Sequence, residues 1–549
     1  MGPRPWRTAI ATVFFLTSVP VSSQTATRPG TLDSRFSDTY LDDPRFAGRS
    51  ARDARRGPES LSGWEISPDI RLKETYDDNP RLAPRDARRA DFITEVTPGR
   101  RIEGNAPRLR ANVDYRPSLL LYARNSEEDK LLNRLRAFGS LEAVDDFFFI
   151  DVHGVITQTF ISPFGARGDV GTITPNRTET RTFGISPHIR GELERGYVYE
   201  LRNRNLWTSS NTEALGNVHS THWNGRFASP VRLFGWALEY EESKIRQEDF
   251  TLQPDREMKL ARGRLFFQPD YALRFSVSAG WEENNYEVLR ETRSNSIYGA
   301  GVAWNPGART QVQAQYEERF FGPSRLARLR HRTRLTAWTL NYSRGVSDYQ
   351  QEALRLPPGD TAALVDAIFA SRIPDPAERR EAVDQFLLAS GAPSFLSSSL
   401  SFYSTQIFLQ ERLDASVGII GVRNSVTFLV FASDSERISE GLTGVVPDAF
   451  LLGDRIKIAG FGLRAEHKLT PFTWIGASAI RSHSRQEAPT AASIESRNDN
   501  LALTLNHSVS PRTLTFAGVG YHGLDNEIEN RAPTSTWSYT VFAGLHHRF

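Results

Sequence analysis

Residues 537–549 read Trp537-Ser538-Tyr539-Thr540-Val541-Phe542-Ala543-Gly544-Leu545-His546-His547-Arg548-Phe549. Side chains alternate faces along a β-strand, so every second residue shares a face. One face takes Trp537, Tyr539, Val541, Ala543, Leu545, His547 and Phe549, which is apolar with aromatics near both ends. The other takes Ser538, Thr540, Phe542, Gly544, His546 and Arg548, mostly small or polar. One side suits an apolar surrounding, the other water.

An alternating final strand that stops on phenylalanine resembles the closing strand of bacterial outer-membrane β-barrels, and by that resemblance Phe549 is the insertion signal. Residues 271–282 repeat the pattern: Tyr271, Leu273, Phe275, Val277, Ala279 and Trp281 oppose Ala272, Arg274, Ser276, Ser278, Gly280 and Glu282. Ten steps of about 3.3 Å at a tilt near 40° span roughly 25 Å, the height of an outer-membrane apolar band. Residues 234–241, 298–304 and 501–509 alternate likewise, and in 311–320 the polar face reads Gln311, Gln313, Gln315, Glu317, Arg319. A soluble sandwich also alternates. Aromatics at the ends of the apolar faces and the many long strands favour the barrel.

Composition agrees. Mean hydropathy is −0.44, and past residue 20 no apolar run is long enough for a membrane helix. A barrel strand meets lipid only at alternate residues, so low hydropathy is compatible with it. Aromatics make up 11% of the chain, enough for interfacial girdles. Cysteine is absent, which excludes disulfides and thiolate metal sites. A net charge of +2 gives no reason to expect nucleic acid.

Residues 1–23 have the form of a secretory signal: Arg4 and Arg7, an apolar stretch from Ala9 to Val19, then small residues at Val21-Ser22-Ser23. Residues 24–62 are rich in Arg, Asp, Pro, Gly and Ser and are expected to be a flexible periplasmic leader. The barrel is expected over 63–549, all-β and antiparallel, with about 18 strands (16 to 20). Pro-containing tight turns at Pro230, Pro269, Pro306, Pro471 and Pro511 alternate with longer polar loops at 207–217, 283–295, 437–454, 485–497 and 524–535. Short turns facing the periplasm and long loops facing out is the barrel arrangement. Two segments predict helix. Residues 125–144 carry Leu131, Leu132, Leu135 and Phe138 at helical spacing. Residues 359–392 offer Asp375-Pro376-Ala377-Glu378 as a capped start and Gly391 as a stop. Counting turns from the C-terminus places both on the periplasmic side or folded into the lumen, as a plug or docking element or as a packed rim.

From about residue 64 the chain resembles the outer-membrane barrel family associated with the PEP-CTERM/exosortase system of exopolysaccharide-producing Gram-negative bacteria. The resemblance lies in the order of short motifs. They are Trp64-Glu65-Ile66-Ser67-Pro68, Glu74-Thr75-Tyr76-Asp77-Asp78-Asn79, Val96-Thr97-Pro98-Gly99 and Val113-Asp114-Tyr115-Arg116, then Asp146 to Asp151, Ile161-Ser162-Pro163-Phe164-Gly165, Asp375-Pro376…Glu378-Arg379 and Gly421-Val422-Arg423-Asn424. It implies an outer-membrane location and a role near polysaccharide export, with no catalytic residue to transfer. The partners expected are outer-membrane lipid and lipopolysaccharide, the barrel assembly machinery, and polysaccharide or periplasmic export components.

No enzyme motif stands out, and no cofactor or metal site is expected. In His219-x-x-His222 the two rings point to opposite faces of a strand, as do those of His546 and His547. Charge instead recurs on the inward face. Arg202, Arg204, Arg262, Arg264, Arg274, Gln313, Gln315, Glu317, Arg319 and Arg464 are expected to line the lumen, because an arginine facing lipid costs about 2–4 kcal/mol at the midplane. Mixed signs favour pairing into a stiffening ladder over an open pore wall, and their near balance gives no ion preference. The function expected is a non-enzymatic barrel serving export or assembly of extracellular polysaccharide. A porin-like passive channel for small solutes is the alternative, and an outer-membrane hydrolase or an adhesive barrel are further ones.

Overall fold

The structure, a computed structural model, describes residues 63–212, 216–247, 255–286, 293–354, 402–439, 449–450, 453–487 and 493–549, with a few positions between 365 and 383. The expected signal and leader, 1–62, lie outside the described residues.

The wall begins with β1 (Gly63–Asp77), β2 (Asp91–Asn105), β3 (Leu109–Tyr115), β4 (Ser118–Tyr122), β5 (Lys130–Leu132), β6 (Leu135–Val144), β7 (Phe148–Phe160) and β8 (Arg177–Glu192). It continues through β9 (Val198–Ser210), β10 (Val218–Ala228), β11 (Phe234–Gln247), β12 (Arg256–Asp270), β13 (Leu273–Asn284), β14 (Arg293–Gly307), β15 (Thr310–Arg319) and β16 (Gly322–Arg332). The last part is β17 (Thr336–Ser347), β18 (Phe408–Ile420), β19 (Asn424–Arg437), β20 (Arg455–Lys468), β21 (Thr473–Glu487), β22 (Ile494–Ser510), β23 (Thr513–Ile528) and β24 (Thr534–Arg548). Neighbours pair antiparallel throughout, and β24 closes on β1 from Asp69↔Arg548 to Asp77↔Thr540. The described strands thus close into a ring, as a spanning sheet requires.

β3 and β4 both pair with the same side of β2, through Arg100–Asn105 and Ile93–Val96. They form one wall strand broken at Arg116-Pro117, since proline cannot donate to the ladder. β5 and β6 form another, broken at Asn133-Arg134. The barrel therefore has 22 wall strands, which corrects the expected 18. The shortfall has a physical cause. In β16 the outward residues are Pro323, Arg325, Ala327, Leu329 and His331, too few of them apolar to read as a lipid-facing strand.

The outward face is apolar and capped by aromatics: Tyr298 and Trp281 toward one end, Trp304 and Tyr271 toward the other, all exposed. At the carboxyl-terminal end every connection is a short turn, here the turn end. At the other end, the loop end, connections run longer. The shortest is Phe320-Phe321, after which Gly322 takes φ 83°, open only to glycine at little cost.

Residues 125–144 are not helical beyond a single turn at Ser126–Glu128; they are β5 and β6. Leu131 and Leu135 are four apart, a spacing that fits a strand face as well as a helix face. Leu132 breaks the alternation because it faces inward, against the cluster of Ile93, Leu120, Tyr122 and Ile173. The connection holding 359–392 leaves the wall after β17, at the loop end, not the turn end that counting from the C-terminus gave. Asp375–Glu378 and Gly391 lie outside the described residues. Val365, Asp366, Ile368, Phe369, Arg379, Ala382 and Val383 are described and helical.

Candidate functional site: the lumen and the connection that enters it

The inner wall is polar for most of its circumference, as water demands. On β22 it reads Ser496, Asn498, Asn500, Ala502, Thr504, Asn506 and Ser508. Apolar patches break the rule in places, and two of them are covered by loops. Leu429 and Phe431 of β19 and Ile456 and Ile458 of β20 face inward, fully buried. Phe402, Phe408, Phe450 and Phe164 pack on them, with the Phe402–Phe408, Phe402–Phe450 and Phe408–Phe450 centroids 6.1, 5.7 and 5.7 Å apart. Phe431 can lie across β20 only because Gly460 is opposite: a Cβ there would stand 2.5 Å from its ring. The second patch, Ile93, Leu120 and Tyr122, is covered by Val170 and Ile173 of the β7–β8 loop.

The β17–β18 connection crosses the mouth. It opens with α1 (Tyr349–Leu354), capped by Asp348, whose Oδ1 accepts from Gln351 N at 2.9 Å. The Tyr349 hydroxyl lies 2.9 Å from Thr159 Oγ1 and 2.8 Å from Thr180 Oγ1. Burial and the loss of water push that phenol's pKa up. Gln350 Nε2 donates to Thr208 Oγ1 and the Val218 carbonyl, both at 3.0 Å. On the return, the Tyr403 ring packs tilted against that of Tyr349, centroids 4.7 Å apart, and its hydroxyl donates to the Gly216 carbonyl at 2.9 Å. Phe402 forms a parallel bridge with Phe160 of β7. The Thr405 carbonyl accepts from Gln247 Nε2 at 2.8 Å and Arg256 Nη1 at 3.0 Å. Glu352 pairs with Arg412 at 2.6 Å. The connection is thus tied to β7–β12 on one side and to β18 on the other.

Deeper along the same connection, Val365, Ile368 and Val383 form a buried cluster with Ala337 of β17 and Ile420 of β18. Both wall residues face inward at the turn end. From Ser347, where the connection departs, to Ala337 is about 33 Å of strand, roughly 25 Å of height. The chain leaves the wall at one end of the lumen and packs at the other.

The β7–β8 loop adds a smaller inward fold. Lys73 Nζ meets Asp169 Oδ2 at 2.8 Å, and that ammonium holds the Asp169 carboxyl well below the usual carboxylate range. Tyr122 donates to the Gly171 carbonyl at 2.9 Å. Burial pulls the Arg167 guanidinium down to about 10.

All ten polar residues expected to line the lumen stand on the inner face. Arg202, Arg204, Arg262, Arg264, Gln315, Glu317, Arg319 and Arg464 are buried there, and Arg274 and Gln313 are half-buried. Arg262 bridges Glu239 (2.6 Å) and Glu317 (3.0 Å). Glu317 also accepts from Arg264 (3.2 Å), Ser278 (3.2 Å) and Gln315 (2.7 Å). Arg319 Nε donates to Glu282 at 2.7 Å, Arg202 pairs with Asp151 at 2.7 Å and Glu200 at 3.1 Å, and Arg464 with Glu466 at 2.8 Å. Most bonds run between strands, which spacing along one strand does not show. Glu239, Asp151, Glu352 and Arg412 were not expected as lumen-lining residues from sequence, although Glu239 and Glu241 stand on the inward face of an evident alternation. His219 faces out and stacks on Trp207 at 5.0 Å, while His222 is buried inside beside Ser220 Oγ at 3.1 Å. His546 reaches Asp69 at 2.9 Å across the seam. Phe549 is exposed at the turn end, its N–H on the Pro68 carbonyl at 3.1 Å.

No protein-family model and no curated protein matches the chain. Among solved structures it is similar to the siderophore receptor PirA from Pseudomonas aeruginosa, at 7% identity over 88% of this chain and 80% of that one, TM-score 0.36. It is also similar to a variant of the ferric enterobactin receptor PfeA from the same organism, at 8% over 89% and 82%, TM-score 0.39. A third is the FrpB iron transporter from Neisseria meningitidis, at 11% over 91% and 83%, TM-score 0.36. The strand pairing itself makes this chain a closed antiparallel barrel of the outer-membrane type.

Proposed function

We propose that the chain is a non-enzymatic outer-membrane conduit, obstructed along its lumen by its own β17–β18 connection, that serves export or assembly of an extracellular polysaccharide. The carrying observation is the course of that connection: anchored by Tyr349 and Tyr403 at the loop end, packed through Val365 and Ile368 at the turn end. A barrel of this strand number is wide enough to need internal filling if it is not to leak. An ever-open porin would have no use for a segment so held. The polysaccharide role is supported by the ordered motifs from Trp64 to Asn424, and by an inner wall of hydroxyls, amides and guanidinia suited to sugar hydroxyls. Deleting the gene and measuring cell-surface and secreted polysaccharide tests that role. Loss or retention of polysaccharide inside the envelope is expected, and unchanged secretion overturns it.

A further inference from the structure

Across β11–β17 the inward charges are sorted by height. The carboxylates Glu239, Glu241, Glu282 and Glu317 lie with Arg262, Arg264 and Arg319 in one layer, where acid and base are bonded to each other. Below that layer, toward the turn end, the inward residues of β13–β17 change character. They are Ser276 and Arg274 on β13, Gly301 and Ala303 on β14, and Gln315, Gln313 and Gln311 on β15. On β16 they are Leu326, Arg328, Arg330 and Arg332, and on β17 Ser343, Asn341, Thr339 and Ala337. Every charged side chain among these described positions is an arginine. Arg330 is exposed to the lumen, and Arg274, Arg328 and Arg332 are half-buried. Among the described acids nearby, Asp414 of β18, beside Asn341, is bonded to Arg412 at 2.7 Å, and Asp366 of the connection to Arg379 at 2.8 Å.

We propose that this turn-end half of the lumen is a binding surface for a carboxylate-bearing saccharide chain. The inference rests on the conduit reading and adds the class of cargo. Three arginines at alternate positions of β16 stand about 6.6 Å apart, so a chain laid along the strand meets one guanidinium after another. Guanidinium forks match carboxylates in two-point geometry. The Gln311 and Gln313 amides and the Thr339 and Asn341 side chains alongside offer partners to neutral hydroxyls. A basic wall in a low-dielectric enclosure raises the local concentration of anions and rejects cations.

Calorimetric titration of the refolded full-length protein in micelles, with a galacturonic acid hexamer and with neutral maltohexaose, tests this. The titration reads binding at the exposed Arg330 and its neighbours rather than ion flow, so its outcome is separate from that of any conductance test. The acidic hexamer is expected to bind, more weakly as salt rises, and maltohexaose at least tenfold less well. Arg328→Gln with Arg330→Gln and Arg332→Gln should weaken the acidic hexamer tenfold or more, while Arg481→Gln with Arg497→Gln, on the outer face, leaves it unchanged. Arg330→Gln alone serves if the triple variant fails the heat-shift test of folding; a threefold or greater loss is then expected. Equal binding of the two hexamers, no binding of either, or unaltered binding by the β16 variants overturns the proposal.

Discussion

Arg262 Nη1 sits 3.0 Å from Glu317 Oε2, although the two residues belong to β12 and β15 and neither side chain has any solvent exposure. The contact spans two intervening strands on the inner wall, so it fixes the curvature of that sector as well as its charge. Arg262 holds Glu239 with its other edge. Removing one member strands a buried charge, which typically costs about 3–5 kcal/mol. Glu317→Ala is therefore expected to lower stability by about 3 kcal/mol, the remaining Glu239 contact limiting the loss. Urea unfolding in lipid vesicles, followed by tryptophan fluorescence, checks it. Glu318→Ala, one residue on and facing out, should change stability by less than about 1 kcal/mol.

The tyrosine anchors make a second prediction. Tyr349→Phe leaves Thr159 and Thr180 bonded to each other at 3.0 Å, so the wall keeps its own hydrogen bond. The connection loses about 1 kcal/mol of attachment. Combined with Tyr403→Phe, the change should raise the rate of proteolysis within 355–401 several-fold without altering the barrel's heat shift. Unaltered proteolysis would show that the hydroxyls do not hold the segment.

The apolar inner patch is predicted to be the stronger clamp. Phe431→Ala opens a cavity beneath Phe402, Phe408 and Phe450 and should cost about 3–5 kcal/mol. Gly460→Val, which drives a branched side chain into Phe431 and the Arg481 carbonyl, should impair refolding through the same contact. Gly307→Val has open space around it and should leave refolding within error.

The Lys73–Asp169 pair sets an acid limit on the β7–β8 loop. The folded-state pKa of Asp169 is depressed, so its stabilisation is present above the ordinary aspartate range and is lost as pH falls through the folded value. The Asp169 side chain is 57% exposed, so solvent screening keeps the effect small. Asp169→Asn should loosen the loop at neutral pH as strong acid does in the parent, seen as faster amide exchange at Thr172. Equal exchange in both proteins at neutral pH would remove the ion pair from the account.

Deleting Phe549 tests the terminal strand. The residue contributes one backbone bond and an edge contact with His547 at 5.0 Å, little for stability. A loss of assembly in cells far larger than any loss of stability after refolding would mark it as a signal. Matching losses would reduce it to structure.

The barrel was legible because lipid imposes period two on Leu273–Trp281 and Trp537–Phe549, and nothing inside interferes there. It was less legible wherever the interior is packed. Leu132 on β5 and Leu429 and Phe431 on β19 face inward beneath loops, which blurs the alternation. The inward arginines could be placed by the cost of the alternative, yet their partners could not. Arg262 finds Glu317 through the register of four strands, and no local spacing encodes that. Strand number suffered for the same reason at β16, whose outward residues are scarcely apolar.

The most direct test of the obstructed lumen is single-channel conductance in planar bilayers. The full-length protein is compared with one in which residues 355–401 are replaced by a short glycine-serine linker, insertion of both being confirmed. The account predicts silence or rare brief openings for the first and stable, large steps for the second. Stable open steps of equal size in both would contradict it and make the barrel a porin.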